Sequence, residues 1–151
     1  MINVPVSQTV KNAVIAFALG DGTKDVYFAG DELPASYLLN KAKGEKSGEL
    51  YAAYHAEVEA GVDSGGNNYG LDDTTKIHLI GAVLGGQPVR FKTRAAGSNA
   101  PKRMTDHTPT QLQQVLADGA ARIQALEDQL EARLDAVNAA TTVAEVEAVS
   151  W

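Results

Sequence analysis

The side chains able to do chemistry in this sequence are three histidines, nineteen carboxylates and thirteen lysines and arginines, with no cysteine. His55, His78 and His107 form neither an HxH nor an HxxxH pair, and no thiolate is present to complete a zinc site. The stretch "GDGTKD" lacks the alternating acids of a calcium loop. Neither it nor "DSGGNNYG" carries the Lys-Ser/Thr that follows a phosphate-binding glycine loop. No serine sits in a GxSxG setting. Glu127, Asp128, Glu131 and Asp135 fit the solvated face of one helix. No catalytic, metal-binding or cofactor site is therefore expected, and the chain is not expected to be an enzyme.

One charge cluster stands apart. Arg90, Lys92, Arg94, Lys102 and Arg103 place five of the thirteen basic residues within fourteen positions of a chain whose net charge is −6. Such a patch could meet an acidic partner surface, including another copy of this chain. The plainer and preferred reading is the exposed face of a strand and its loop. Phe91 points away from the arginines by alternation, so no stacking platform for nucleic acid is expected.

These residues must be held by a globular fold, since 44% of the chain is hydrophobic and 21% charged. No stretch approaches the ~20 apolar residues that cross a bilayer, and the start lacks the pattern of a signal peptide. The sequence predicts an α+β fold, mainly helical. "AVIAFAL", "GDGTKD" and "VYFAG" read as a β-hairpin, with a helix over 7–19 as the competing reading. A short helix, "ASYLLNKAK", ends at Gly44. A second, "SGELYAAYHAEVEAG", is capped by Ser47 and stops at Gly61. Residues 1–62 form an N-terminal attachment unit, residues 63–71 a Gly/Asn-rich linker, and residues 72–151 a helical domain.

In that domain a helix is capped by Asp73, Thr74 or Thr75. It carries an apolar stripe of Ile77, Ile80, Val83 and Leu84 and ends at Gly85-Gly86. "PVRFKTR" alternates as a strand, with Val89, Phe91 and Thr93 on one side; "AAGSNAPKRM" is a loop. Thr108, Pro109 and Gln111 then open a long helix with a capping box. Leu116, Ile123, Leu130 and Val137 recur every seven residues, with Leu126 and Leu134 beside them. This approximates a coiled-coil seam. About 30 residues of helix span ~45 Å, more than a small domain covers, so these six residues are the expected oligomer or partner interface. A second capping box, Thr142 and Glu145, restarts a short helix. Val146, Val149 and Trp151 are expected to fold back onto the long helix and lock its end.

The order "TTKIHLIGAVLGG", "PVRFKTRAAGSNAPKRM" and "HTPTQLQQVLADGAARIQALEDQLEARLDAVNAATTVAEVEAVSW" resembles a domain family of unknown function. That family is found near the C-terminal ends of bacteriophage tail-fibre and other tail-associated proteins. "AATTVAEVEAVSW" is the most specific part: (I/V)-x-x-A-x-(T/S)-hydrophobic-x-(E/D) and a closing aromatic. The resemblance spans residues ~72–151. It departs over residues 89–107, where the family tends to have a tryptophan in the strand and a compact aspartate-containing turn; here stand Phe91 and a longer basic loop. The resemblance implies a virion tail protein, made in a host cytoplasm, at a baseplate or in a fibre or fibre adaptor. Its partners would then be other phage tail proteins; the heptad seam adds copies of this chain, the lack of an apolar span speaks against a membrane, and the net charge of −6 against nucleic acid. An assembly chaperone that binds a fibre tip is the alternative, and a binding module built on the basic cluster a third reading.

Overall fold

A computed structural model describes residues 15–18, 24–27 and 35–151. The N-terminal hairpin is present: β1 (Ile15–Ala18) and β2 (Lys24–Tyr27) pair antiparallel, Ile15 opposite Tyr27 and Ala18 opposite Lys24. The remaining expectations for residues 1–34 lie outside the described residues.

Residues 35–60 form one helix, α1 (Ala35–Ala60), where two short ones were expected. Gly44 and Gly48 lie inside it, each costing about 1 kcal/mol relative to alanine. Packing offsets that cost: Leu50 is buried, with Leu39, Ala42 and Tyr54 against the same cluster. Ser47 does not cap a new helix; its hydroxyl donates to the Lys43 carbonyl at 2.8 Å. Gly61 ends α1 in the left-handed region, at φ 86°, as its position after the last apolar residue suggests.

The expected linker is a hairpin. β3 (Val62–Ser64) and β4 (Asn67–Tyr69) pair with Val62 opposite Tyr69 and Ser64 opposite Asn67. Gly65 and Gly66, both with positive φ (54° and 81°), make the two-residue turn. A right-twisted hairpin prefers such a turn, and glycine enters it without strain. These glycines therefore sharpen a turn rather than loosen a tether. β5 (Val89–Ala95) and β6 (Arg103–His107) complete an antiparallel sheet in the order β3-β4-β5-β6. Phe91 and Thr93 are buried while Arg90 and Lys92 are exposed, as the alternation predicts. β6, read as loop at its start, has four exposed residues before buried His107, so it carries no apolar signature.

α2 (Asp73–Gly85) is capped one residue earlier than expected: the Asp72 carboxylate accepts from the Thr75 backbone N–H at 2.9 Å and from its hydroxyl at 2.6 Å. Those bonds hold the Asp72 carboxyl below its ordinary pKa. α3 (Pro109–Ala139) opens with the expected capping box, Thr108 N–H donating to Gln111 Oε1 at 2.8 Å. α1 and α3 run antiparallel: Lys43 Nζ donates to the Asn138 carbonyl at 2.7 Å, and Glu57 pairs with Arg122 further along. The length of α3 is thus met within the chain by α1.

Two apolar clusters lie along α3. The first joins Val62, Tyr69, Leu71, Leu79, Ala82 and Phe91 to Leu112 and Val115. The second joins Leu50 to Leu130, Val137, Ala140 and Val146. Each draws on both sides of residues 63–71, so the units expected at 1–62 and 72–151 share their cores. Gly119 explains itself here: a Cβ on it would stand 3.1 Å from Leu71 Cδ2, so the glycine lets α3 approach the chain leaving β4.

α4 (Val143–Glu147) carries the second capping box, with Glu145 N–H donating to Thr142 Oγ1 at 3.2 Å. It packs chiefly on α1 rather than on α3, which corrects the expected docking face. Val146 is fully buried, Val149 and Trp151 close over the second cluster, and Trp151 meets Tyr54 edge-to-face at 6.5 Å. The Glu145 carboxylate accepts from the N–H groups of Thr141 and Thr142 and from the Thr141 hydroxyl, which lowers its pKa from 4.5. A depressed carboxyl stabilises the fold above its unfolded pKa and loses that contribution as pH falls through its folded value. Glu145→Gln is therefore expected to flatten the loss of stability below pH 4.5; denaturant titrations at several acid pH values measure it.

Candidate interaction surfaces

The six residues of the expected seam divide. Leu126, Leu130 and Val137 are buried inside one chain. Leu116 packs half-buried on the first cluster beside Ile123, and Leu134 on the second. Leu130 and Val137 pack with Leu50 of α1 and Val146 of α4, so for these two the covering side chains come from the same chain. Half of the expected interface is thus buried within the single chain. The signal was sound as a mark of burial, but a heptad stripe does not say whether the covering helix belongs to the same chain.

The lock residues Val146, Val149 and Trp151 do come together, on α1. The five basic residues gather at β5, at β6 and in the turn between them. Arg90 reaches Asp106 at 3.6 Å and the Met104 carbonyl at 3.4 Å. Arg94 stands opposite Asn68, and the buried Nε of the one and Oδ1 of the other lack hydrogen-bond partners. Burial, and then the Arg94 charge, push the Lys102 ammonium below its ordinary pKa, against the opposing pull of Asp72 and Asp63. The patch is thus interleaved with carboxylates and is not uniformly basic.

The histidines stay apart in role. His55 is exposed beside Tyr54, His78 is exposed on α2, and His107 is buried with Nδ1 2.9 Å from the Thr105 carbonyl and its ring edge-on to Tyr69. Among the described residues no cluster of three or more histidine or acidic side chains could hold a metal ion. No described helix is long and apolar enough to cross a membrane.

The apolar surface that does face solvent is on α2. Leu79 and Ala82 point into the core. Ile77 is 67% exposed, Ile80 45% and Leu84 82%, so three of the four residues expected to pack are outside. Met104 on β6 is exposed as well. Between α2 and β5 runs a groove of ≈ 1010 Å³ touched by Asp72, Ile77, His78, Arg90, Lys92 and Met104. A smaller one of ≈ 290 Å³ lies on the other flank of α2, floored by Leu71, Leu116 and Gly119. A third, ≈ 500 Å³, lies between α1 and α3 under Tyr51 and Leu134. Sequence reasoning missed the α2 surface. The signal was there, since Ile77, Leu79, Ile80, Ala82, Val83 and Leu84 are more apolar side chains than one face of a helix can bury.

Comparison with protein-family models, with curated proteins and with solved structures finds no match.

Proposed function

We propose that this chain is a structural component of a bacteriophage tail, in the baseplate, a fibre or a fibre adaptor, and that it works through contacts with neighbouring tail proteins. The observation that carries the reading is the solvent-facing apolar surface of α2, with Ile77, Ile80 and Leu84, on a chain whose long helix buries much of its apolar stripe from within. Surface apolar residues grouped in this way mark interaction sites more often than isolated ones do. The resemblance of residues ~72–151 to a tail-associated domain family supplies the setting. Self-association in this reading uses α2 and the half-buried Leu116 and Ile123 rather than the whole heptad seam.

Quantitative mass spectrometry of purified, finished phage particles tests this. The chain is expected at a fixed small multiple of the tail symmetry. Absence from particles despite expression during infection would overturn the structural reading and favour the chaperone that binds a fibre tip and leaves.

A further inference from the structure

The first half of β5 is an open sheet edge. β6 pairs with β5 from Val89 to Thr93, but β4 reaches it only at Arg94 and Ala95. Ala96 N–H donates to the Gly66 carbonyl at 3.0 Å, on the β4 side. Along an antiparallel strand alternate residues send both backbone groups to the same side. Arg94, Lys92 and Arg90 therefore direct theirs the way Ala96 does, and no described strand pairs with Lys92 and Arg90 there.

The groove between α2 and β5 lies along this edge. It is lined by Val89 and Phe91 from one face of β5 and by Arg90 and Lys92 from the other. A depression that touches both faces of one strand must run around its edge. The opposite wall is α2, with Ile77, His78 and Gly81; a Cβ at Gly81 would meet nothing within 4 Å. The volume, ≈ 1010 Å³, is at the top of the ~300–1,000 Å³ range of small-ligand pockets.

We propose that this groove docks an extended, acidic segment of a partner protein, which joins the open edge of β5 as an added strand. Backbone pairing to Arg90 and Lys92 supplies the affinity that strand addition draws on, and alternate side chains supply the selectivity. On the outer face the incoming strand stands opposite Arg90 and Lys92, where acidic residues make favourable cross-strand pairs. Lys92 forms no ion pair among the described residues, and the exposed Arg90–Asp106 contact at 3.6 Å is weak enough to exchange. The alternate positions fall between Phe91 and Ile77 and call for apolar side chains. The partner sequence is thus one that alternates acidic with apolar residues. The inference does not depend on the tail reading.

The probe is an eight-residue synthetic peptide alternating valine and glutamate, added to isotope-labelled full-length chain. Amide shifts are expected at residues 90–92, 77–78 and 104, with amide exchange at Arg90 and Lys92 at least tenfold slower. A valine–lysine peptide is expected to bind at least tenfold more weakly, and Lys92→Glu to narrow or reverse that preference at an unchanged melting temperature. N-methylation of one alternate set of peptide amides should abolish binding, and of the other set spare it. Four results would overturn the proposal: no shift in the groove at millimolar peptide, equal binding of the lysine peptide, indifference to which set is methylated, or protection of the Arg90 and Lys92 amides without peptide. If that protection grew with protein concentration, the occupant would be a second copy.

Discussion

Gly61→Ala is expected to lower the melting temperature by roughly 6–12 °C, taking about 2–4 °C per kcal/mol for a chain of this size and a loss of at least about 3 kcal/mol. Two effects add. The residue holds φ 86°, where a side chain costs about 1–3 kcal/mol. A Cβ there would also fall 1.9 Å from the Tyr69 carbonyl oxygen, a backbone atom that a rotamer change cannot move aside. Either α1 or β4 must shift, and both anchor apolar clusters. Gly86→Ala is the control: its φ is 63° but nothing lies within 4 Å of the added carbon, so only about 1–2 kcal/mol is lost. Equal melting temperatures for the two variants would mean that the α1–β3 corner does not press on β4.

Val146→Asp is the second large effect. Val146 is fully buried among Leu50, Leu130, Val137 and Ala140. Val146→Ala removes packing alone, worth up to about 1.5–3 kcal/mol, with no pH dependence. The aspartate adds an unpaired carboxyl, and its desolvation raises the folded pKa above the unfolded ~3.9. The part of the penalty due to ionisation is therefore absent below that unfolded value, grows as pH rises towards the folded pKa, and is complete above it, while the unpaired neutral carboxyl keeps a smaller cost at every pH. Melting curves from pH 3 to pH 8 should show the gap between the aspartate and alanine variants narrowing towards the acid end. The emission of Trp151, which rests on Tyr54, should shift to the red first in the aspartate variant. A pH-independent gap between the variants would show that the site is open to water.

What was legible in the sequence was local. Thr108 with Gln111, and Thr142 with Glu145, are capping boxes because both halves of the motif lie within one turn, and both form as written. The alternation of Val89 to Thr93 gives β5 its buried face for the same reason. Gly65-Gly66 was ambiguous, since two glycines serve a tether as well as a tight turn. The decision lay with Val62 and Tyr69, which pair across it and bury themselves against α3. β6 was hidden because strand pairing to β5 holds it, not its own side chains. The break at Gly44 was overridden by the α1–α3 contact, some ninety residues away in sequence. The same blindness to distant partners assigned Leu126, Leu130 and Val137 to another molecule. The candidate site escaped because the exposure of Ile77 and Ile80 depends on where the neighbouring strands stop.

The antiparallel pairing of α1 with the far end of α3 has a consequence for synthesis. Lys43 and its acceptor at Asn138 are 95 residues apart, and Val146 completes the cluster on Leu50 later still. A ribosome adding about 5–20 residues per second makes α1 wait roughly 5–20 s for its cover. Through that interval the apolar face of α1 is in water, while the hairpin at Gly65-Gly66 and the first strands can already pair. The nascent chain is thus most vulnerable to aggregation late, just before the long helix is finished. Slow codons placed before α3 would prolong that exposure, and a chaperone that shields residues 39–54 until α4 emerges would raise the yield.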